Sequence, residues 1–171
     1  MREKFRQQLE EMYHQMVVMG GLCQQAIAVA VKTLEEEEDT AENLEAQVFA
    51  LDGEIDDMER EIEALCTKLL LRQQPVAKDL REISSALKMI SDLERIGDQA
   101  ADIAALVPYI TLPNGDCLHI AEMTRAVIGM VTDSVDSFVR KDLGLAEAVI
   151  SSDDVVDDLF LQVREELIRR I

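Results

Sequence analysis

Residues 48–59 read VFALDGEIDDME, and residues 149–160 read VISSDDVVDDLF. The two stretches match at a constant offset of 101: Val48 with Val149, Asp52 with Asp153, Ile55 with Val156, Asp56 with Asp157, Asp57 with Asp158 and Met58 with Leu159. In each, apolar side chains return every three or four residues, the period of a helix that buries one face. Repetition at a fixed spacing outranks other signals of architecture, because each copy is one supersecondary unit. The chain therefore reads as a tandem repeat.

Working outward, the segment around the first copy carries Leu44, Val48, Leu51, Ile55, Met58, Ile62, Leu65 and Leu69, an unbroken heptad seam. The segment before it carries Phe5, Leu9, Met12, Met16, Met19, Cys23, Ile27, Ala30 and Leu34. Such seams specify long helices packed nearly antiparallel, crossing at about 20°. The acidic run 35–39 with Thr40 is expected to connect these two helices. Gln73, Gln74 and Pro75 are expected to connect to a third, with Pro75 as its first residue and Leu80, Ile83, Leu87 and Ile90 on its seam. The third helix ends near Val107-Pro108, and residues 112–115, Leu-Pro-Asn-Gly, are the strongest turn signal. A fourth helix from about Asp116 carries Ile120, Met123, Val127, Met130, Ser134 and Phe138. Residues 141–144 break it, and a fifth from about Ala146 carries Val149, Val156, Leu159, Val163 and Leu167.

The expected fold is all-α: tandem antiparallel three-helix bundles, residues 1–110 forming the first repeat and 111–171 the second. Adding 101 to Pro75 passes the last residue, so the second repeat lacks its third helix here. The open stripe this leaves is expected to reflect truncation of the chain, or to be covered by a second copy in a homodimer.

Composition narrows the function classes. The chain has 171 residues, 48% hydrophobic and 30% charged, with 35 acids against 17 bases for a net charge of −18. That balance opposes nucleic-acid binding, which needs a basic footprint, and favours cations or basic protein surfaces. No apolar run approaches the ~20 residues of a membrane span, and the charged N-terminus has no signal-peptide core, so a cytoplasmic protein is expected. Cys23, Cys66 and Cys117 are scattered and read as reduced thiols. No phosphate-cradling loop, nucleophile elbow or Cys–His pair supports a catalytic reading.

The acids are less ordinary than the fold. In SDLERIGDQAADIA (91–104), Glu94, Asp98 and Asp102 stand four apart on one face, where like charges repel. Gly97 lies among them and costs about 1 kcal/mol relative to alanine. Asp52 and Asp56 on the second helix, with Glu59 and Glu63, follow the same rule beside the seam. Asp153 and Asp157 repeat the pair on the fifth. A solvated acidic face is one explanation. The sharper one is a multinuclear site of oxygen ligands for Fe, Mn, Mg or Ca, whose charge removes the repulsion. Gly97 would let a neighbouring helix or the ligand come close. Glu11-x-x-His14 and Asp116-x-x-His119 offer a weaker, ferritin-like alternative. Met12, Met16 and Met19 read as packing.

PVAKDLREISSALKMISDLERIGDQAADIA (75–104) and LDGEIDDMEREIE (51–63) resemble the third and second helices of the PhoU family of phosphate-uptake regulators, with LERIGD (93–98) the most specific part. The resemblance implies a cytoplasmic, non-enzymatic adaptor that represses phosphate uptake and phosphate-starvation signalling. Its implied partners are the phosphate transporter ATPase and the phosphate-sensing histidine kinase, with membrane association only through them. It also implies Fe or Zn bound through E(D)xxxD acids: Glu94 and Asp98, faced by Asp52 and Asp56, with Asp153 and Asp157 as second-unit counterparts. Where the family carries His, Asn and Glu after the motif, this chain has Gln99, Asp102 and Ala105. A helical metal-storage protein and a passive structural dimer are the competing classes.

Overall fold

A computed structural model describes residues 2–34, 38–73, 75–109 and 118–170. Its helices are α1 (Arg2–Lys32), α2 (Glu38–Gln73), α3 (Ala77–Leu106), α4 (Leu118–Arg140) and α5 (Leu143–Arg170), with a 3-10 turn at Val107–Tyr109. The first three pack against one another as a bundle, α4 pairs with α5, and α4 docks on α1. The described residues contain no strand. The first repeat is thus a closed three-helix unit and the second an open helical hairpin.

The seams of α1 and α2 lie close to where the heptads place them, except that Ala26 and Cys66 are fully buried while Ile27, Met58 and Leu65 are only partly so. Met12, Met16, Met19, Cys23, Val48, Ile55, Ile62 and Leu69 are fully buried, each such side chain adding about 1.5–3 kcal/mol from the area removed from water. Cys23 and Cys66 are free thiols. Burial pushes Cys23 up to about 12 and Cys66 up to about 11, so both stay protonated core atoms. The methionines are packing, as their spacing implies.

By length and composition α1 is also apolar enough to cross a membrane, which corrects the sequence estimate. The run from Met12 to Val31 carries no Asp, Glu, Lys or Arg. Its seam, however, is the completely buried core of the bundle.

The third helix departs most from expectation. Pro75 is not its first residue: Val76 is the N-cap, in extended conformation and without a side-chain cap, and the Leu80 amide donates to the Val76 carbonyl at 2.9 Å. Its buried line runs through Ile83, Ala86, Ile90, Leu93, Gly97, Ala100, Ala101 and Ala104. Leu80 is 46% exposed, and Leu87 packs only at the margin of the core. Four residues beyond Ile90 stands Glu94, which is only partly buried; Leu93 and Gly97 continue the buried line instead.

Other boundaries shift less. Glu38, Asp39 and Thr40 already belong to α2. The acids 35–37, the turn at 112–115, Asp116 and Cys117 lie outside the described residues. The break between α4 and α5 is only Lys141 and Asp142, so Gly144 is helical. Lys141 takes a left-handed φ of 57°, and the Asp142 carboxylate caps α5 by accepting from the Leu145 amide at 3.0 Å.

Two contacts fix the hairpin to the first bundle. Gly20 of α1 lies so close to α4 that an added Cβ would sit 3.0 Å from Val135 Cγ2. Glu82 of α3 accepts from the Tyr13 hydroxyl at 2.7 Å and from Lys141 Nζ at 2.8 Å. Burial alone would raise the Glu82 carboxyl, but these two donors win and hold it below its usual value. Beside this tie, α3, α4 and α5 leave a groove lined by Met89, Leu93, Val127, Met130 and Val156. Val156 faces it and Val149 faces the neighbouring pocket beside Tyr13, Glu82 and Lys141, whereas their repeat partners Val48 and Ile55 are buried in the first unit.

Candidate metal centre

Asp52 and Asp56 are one turn apart on α2, and Asp98 faces them from α3. One carboxylate oxygen from each lies within 4.8 Å of the others. That spread is of the order of twice a metal–oxygen bond of about 2.1–2.5 Å, so the three form a group that could hold a metal ion. The glycine explains how two helices bring like charges so close. A Cβ on Gly97 would stand 2.9 Å from Asp52 Oδ1 and 3.0 Å from Ile55 Cδ1. Any side chain there would occupy the space that the Asp52 carboxylate fills.

The electrostatics are those of a cluster short of positive charge. Asp52 Oδ1 is buried and has no hydrogen-bond partner among the described residues, an arrangement that costs about 1–3 kcal/mol for a polar group left unsatisfied. Burial, then Asp98, Asp56 and Asp102, raise the Asp52 carboxyl above its ordinary value. Burial, then Asp98, Glu59, Asp56 and Asp52, do the same to Glu94. An orphaned buried oxygen among carboxylates is what an oxygen-ligated cation satisfies, so the donor set fits a hard divalent or trivalent ion.

The remaining candidates separate. Glu94 and Asp102 flank Asp98 on α3 and act on the cluster through their charge, but they are not in the three-carboxylate group. Asp153 and Asp157 are exposed on α5, Asp153 at the groove, and no such group forms around them among the described residues. His119 Nδ1 pairs with Glu166 across the hairpin and His14 is exposed, so neither joins a ferritin-like set among the described residues. Arg95 makes a surface pair with Asp92 at 3.6 Å. Sequence reasoning missed Arg60, whose guanidinium holds Asp57 at 2.7 Å and Asp56 at 3.3 Å; the run Asp56-Asp57-x-x-Arg60 was its signal.

The raised Asp52 carboxyl has a sign that can be measured. The folded state holds that proton to higher pH than the unfolded chain does, so stability falls as pH rises through the folded value. With metal chelated, Asp52→Asn is expected to melt about 2 °C higher than the parent at pH 7. That advantage should vanish as acid protonates Asp52 itself. Thermal melts across pH with a chelator present test this; a gain that is flat with pH would count against it.

The chain matches the family model described as PhoU domain over residues 16–107 and 120–171. It is 36% identical over 173 residues to the phosphate-specific transport system accessory protein PhoU homolog of Clostridium acetobutylicum, covering 98% of this chain and 76% of that protein. It is 39% identical over 166 residues to the homolog of Aquifex aeolicus, covering 96% of this chain and 74% of that one. The crystal structure of PhoU from Pseudomonas aeruginosa superposes with a TM-score of 0.85 at 35% identity, over 97% of this chain and 79% of that chain. A family model that matches most of the chain and relatives 36% and 39% identical over nearly all of it lead to one conclusion: the chain belongs to the PhoU family.

Proposed function

We propose that this protein is a non-catalytic regulator of phosphate import that acts in the cytoplasm by contacting the phosphate transporter ATPase and the phosphate-sensing kinase. The observation that carries this reading is likeness over nearly the whole chain to relatives named as accessory proteins of phosphate transport. The acidic α2–α3 face is a metal centre in this reading, with Asp52, Asp56 and Asp98 as its inner ligands and Glu94 and Asp102 at its rim. A bound cation would supply positive charge that ties α2 to α3. Asp52 orients the site from below because its Oδ1 is buried, while Asp98 is exposed and meets solvent or a partner.

Three measurements test the proposal. The purified protein, used as bait in a lysate of phosphate-replete bacteria, should retain the transporter ATPase, and a deletion strain should lose repression of phosphate uptake. Titration with Fe, Mn, Zn and Mg should saturate at a small fixed stoichiometry. Normal repression in the deletion strain would overturn the regulatory reading. Bulk loading with many ions per chain would favour storage instead.

A further inference from the structure

We infer that Arg60 is a built-in competitor for the carboxylate cluster, a resident cation that weakens metal binding at the first repeat. The inference rests on the metal reading above. Among the described residues, Arg60 is the cation paired with an inner ligand: its guanidinium lies 3.3 Å from Asp56 Oδ2 and 2.7 Å from Asp57 Oδ1. Arginine stays charged at every accessible pH, so this competition cannot be titrated away. A metal ion that recruits Asp56 must share the carboxylate with a positive charge a few ångströms off, and that repulsion lowers its affinity.

Arg60 is well placed to yield. Its side chain is 66% exposed, and the shorter of its two bonds goes to Asp57, which is outside the cluster. It can therefore release Asp56 and remain paired to Asp57, moving no backbone. The empty cluster keeps one compensating charge, and the loaded cluster expels it. At the repeat-equivalent position, 101 residues on, the chain has Leu161. Asp157 has no such competitor one turn away, so the device belongs to the first unit alone.

The test is a Mn2+ titration of the full chain, with free Mn2+ counted by electron paramagnetic resonance. Arg60→Met, neutral and still helical, should bind about fivefold tighter than the parent at low salt. The gap should close in molar KCl, where the guanidinium charge is screened. Arg60→Lys, which keeps the charge, should stay near the parent. Equal or weaker binding by Arg60→Met overturns the competitor role, and circular dichroism separates this from a folding defect. Asp52→Asn tells the two ideas apart. If it abolishes Mn2+ binding while Arg60→Met changes nothing, the metal centre stands and the competitor falls. If Asp52→Asn leaves binding intact, or no variant binds Mn2+, both fall.

Discussion

Gly97→Val is expected to lower the unfolding free energy by about 3 kcal/mol and to abolish metal uptake together. The added Cβ lands 2.9 Å from Asp52 Oδ1 and 3.0 Å from Ile55 Cδ1, and a branched side chain pushes both further. Ile55 is fully buried, so it cannot move without disturbing its own neighbours. Overpacking of this kind costs about 1–3 kcal/mol, with more for a shape the site cannot accept. Gly97→Ala is the informative contrast. Alanine gains about 1 kcal/mol of helix propensity over glycine, which offsets much of its own contact. Its stability should therefore change little while metal binding still weakens, because the Asp52 carboxylate must shift. Urea unfolding followed by circular dichroism, paired with Mn2+ titration, reads both effects. A stable Gly97→Val protein would mean that α2 and α3 are not held at this distance in solution.

The double variant Glu94→Ala with Asp98→Ala should lose metal affinity by about a hundredfold yet keep its helical content. Without metal it should melt at the parent temperature or up to about 4 °C above it. Three causes act in one direction. Asp98 raises both the Asp52 and the Glu94 carboxyls, so removing it relieves Asp52 directly. Burial raises Glu94 as well, and alanine is the better helix former at both places. With saturating metal the order should reverse, because only the parent then gains binding energy. Unchanged metal uptake in this variant would remove Glu94 and Asp98 from the site.

How far the fold could be read from the chain depended on side-chain size. In α1 and α2 the seam is carried mostly by methionine, isoleucine, leucine and valine, and the heptads locate it to within one residue, with Ala26 and Cys66 fully buried beside the partly buried Ile27 and Leu65. In α3 it is carried largely by alanine and Gly97, whose small volumes give hydrophobic periodicity little to weigh. Leu80 then drew the expected seam to the wrong edge of that helix. The helix start at Ala77 differs from the expected one for a related reason: Pro75 suits a first turn locally, and nothing in the local sequence shows that the chain is still extended at Val76.

The site was legible to a similar depth. Repeated acids and a misplaced glycine pointed to the α2–α3 face, where the structure brings Asp52, Asp56 and Asp98 together, since both penalties are local and visible. Separating Asp52, Asp56 and Asp98 from Glu94 and Asp102 needed the rotation of two helices about their axes. The Tyr13–Glu82–Lys141 tie and the His119–Glu166 pair were invisible because their members stand on different helices, far apart in sequence.

The closed first bundle also bears on how the chain is made. Nearly all of the continuous core comes from α1, α2 and α3, to which α4 adds Val131 and Val135. A ribosome extruding this sequence therefore releases a finished nucleus before α4 emerges, and domains generally fold in that order during synthesis. The hairpin then docks onto a surface already set, with Gly20 as the notch that receives Val135.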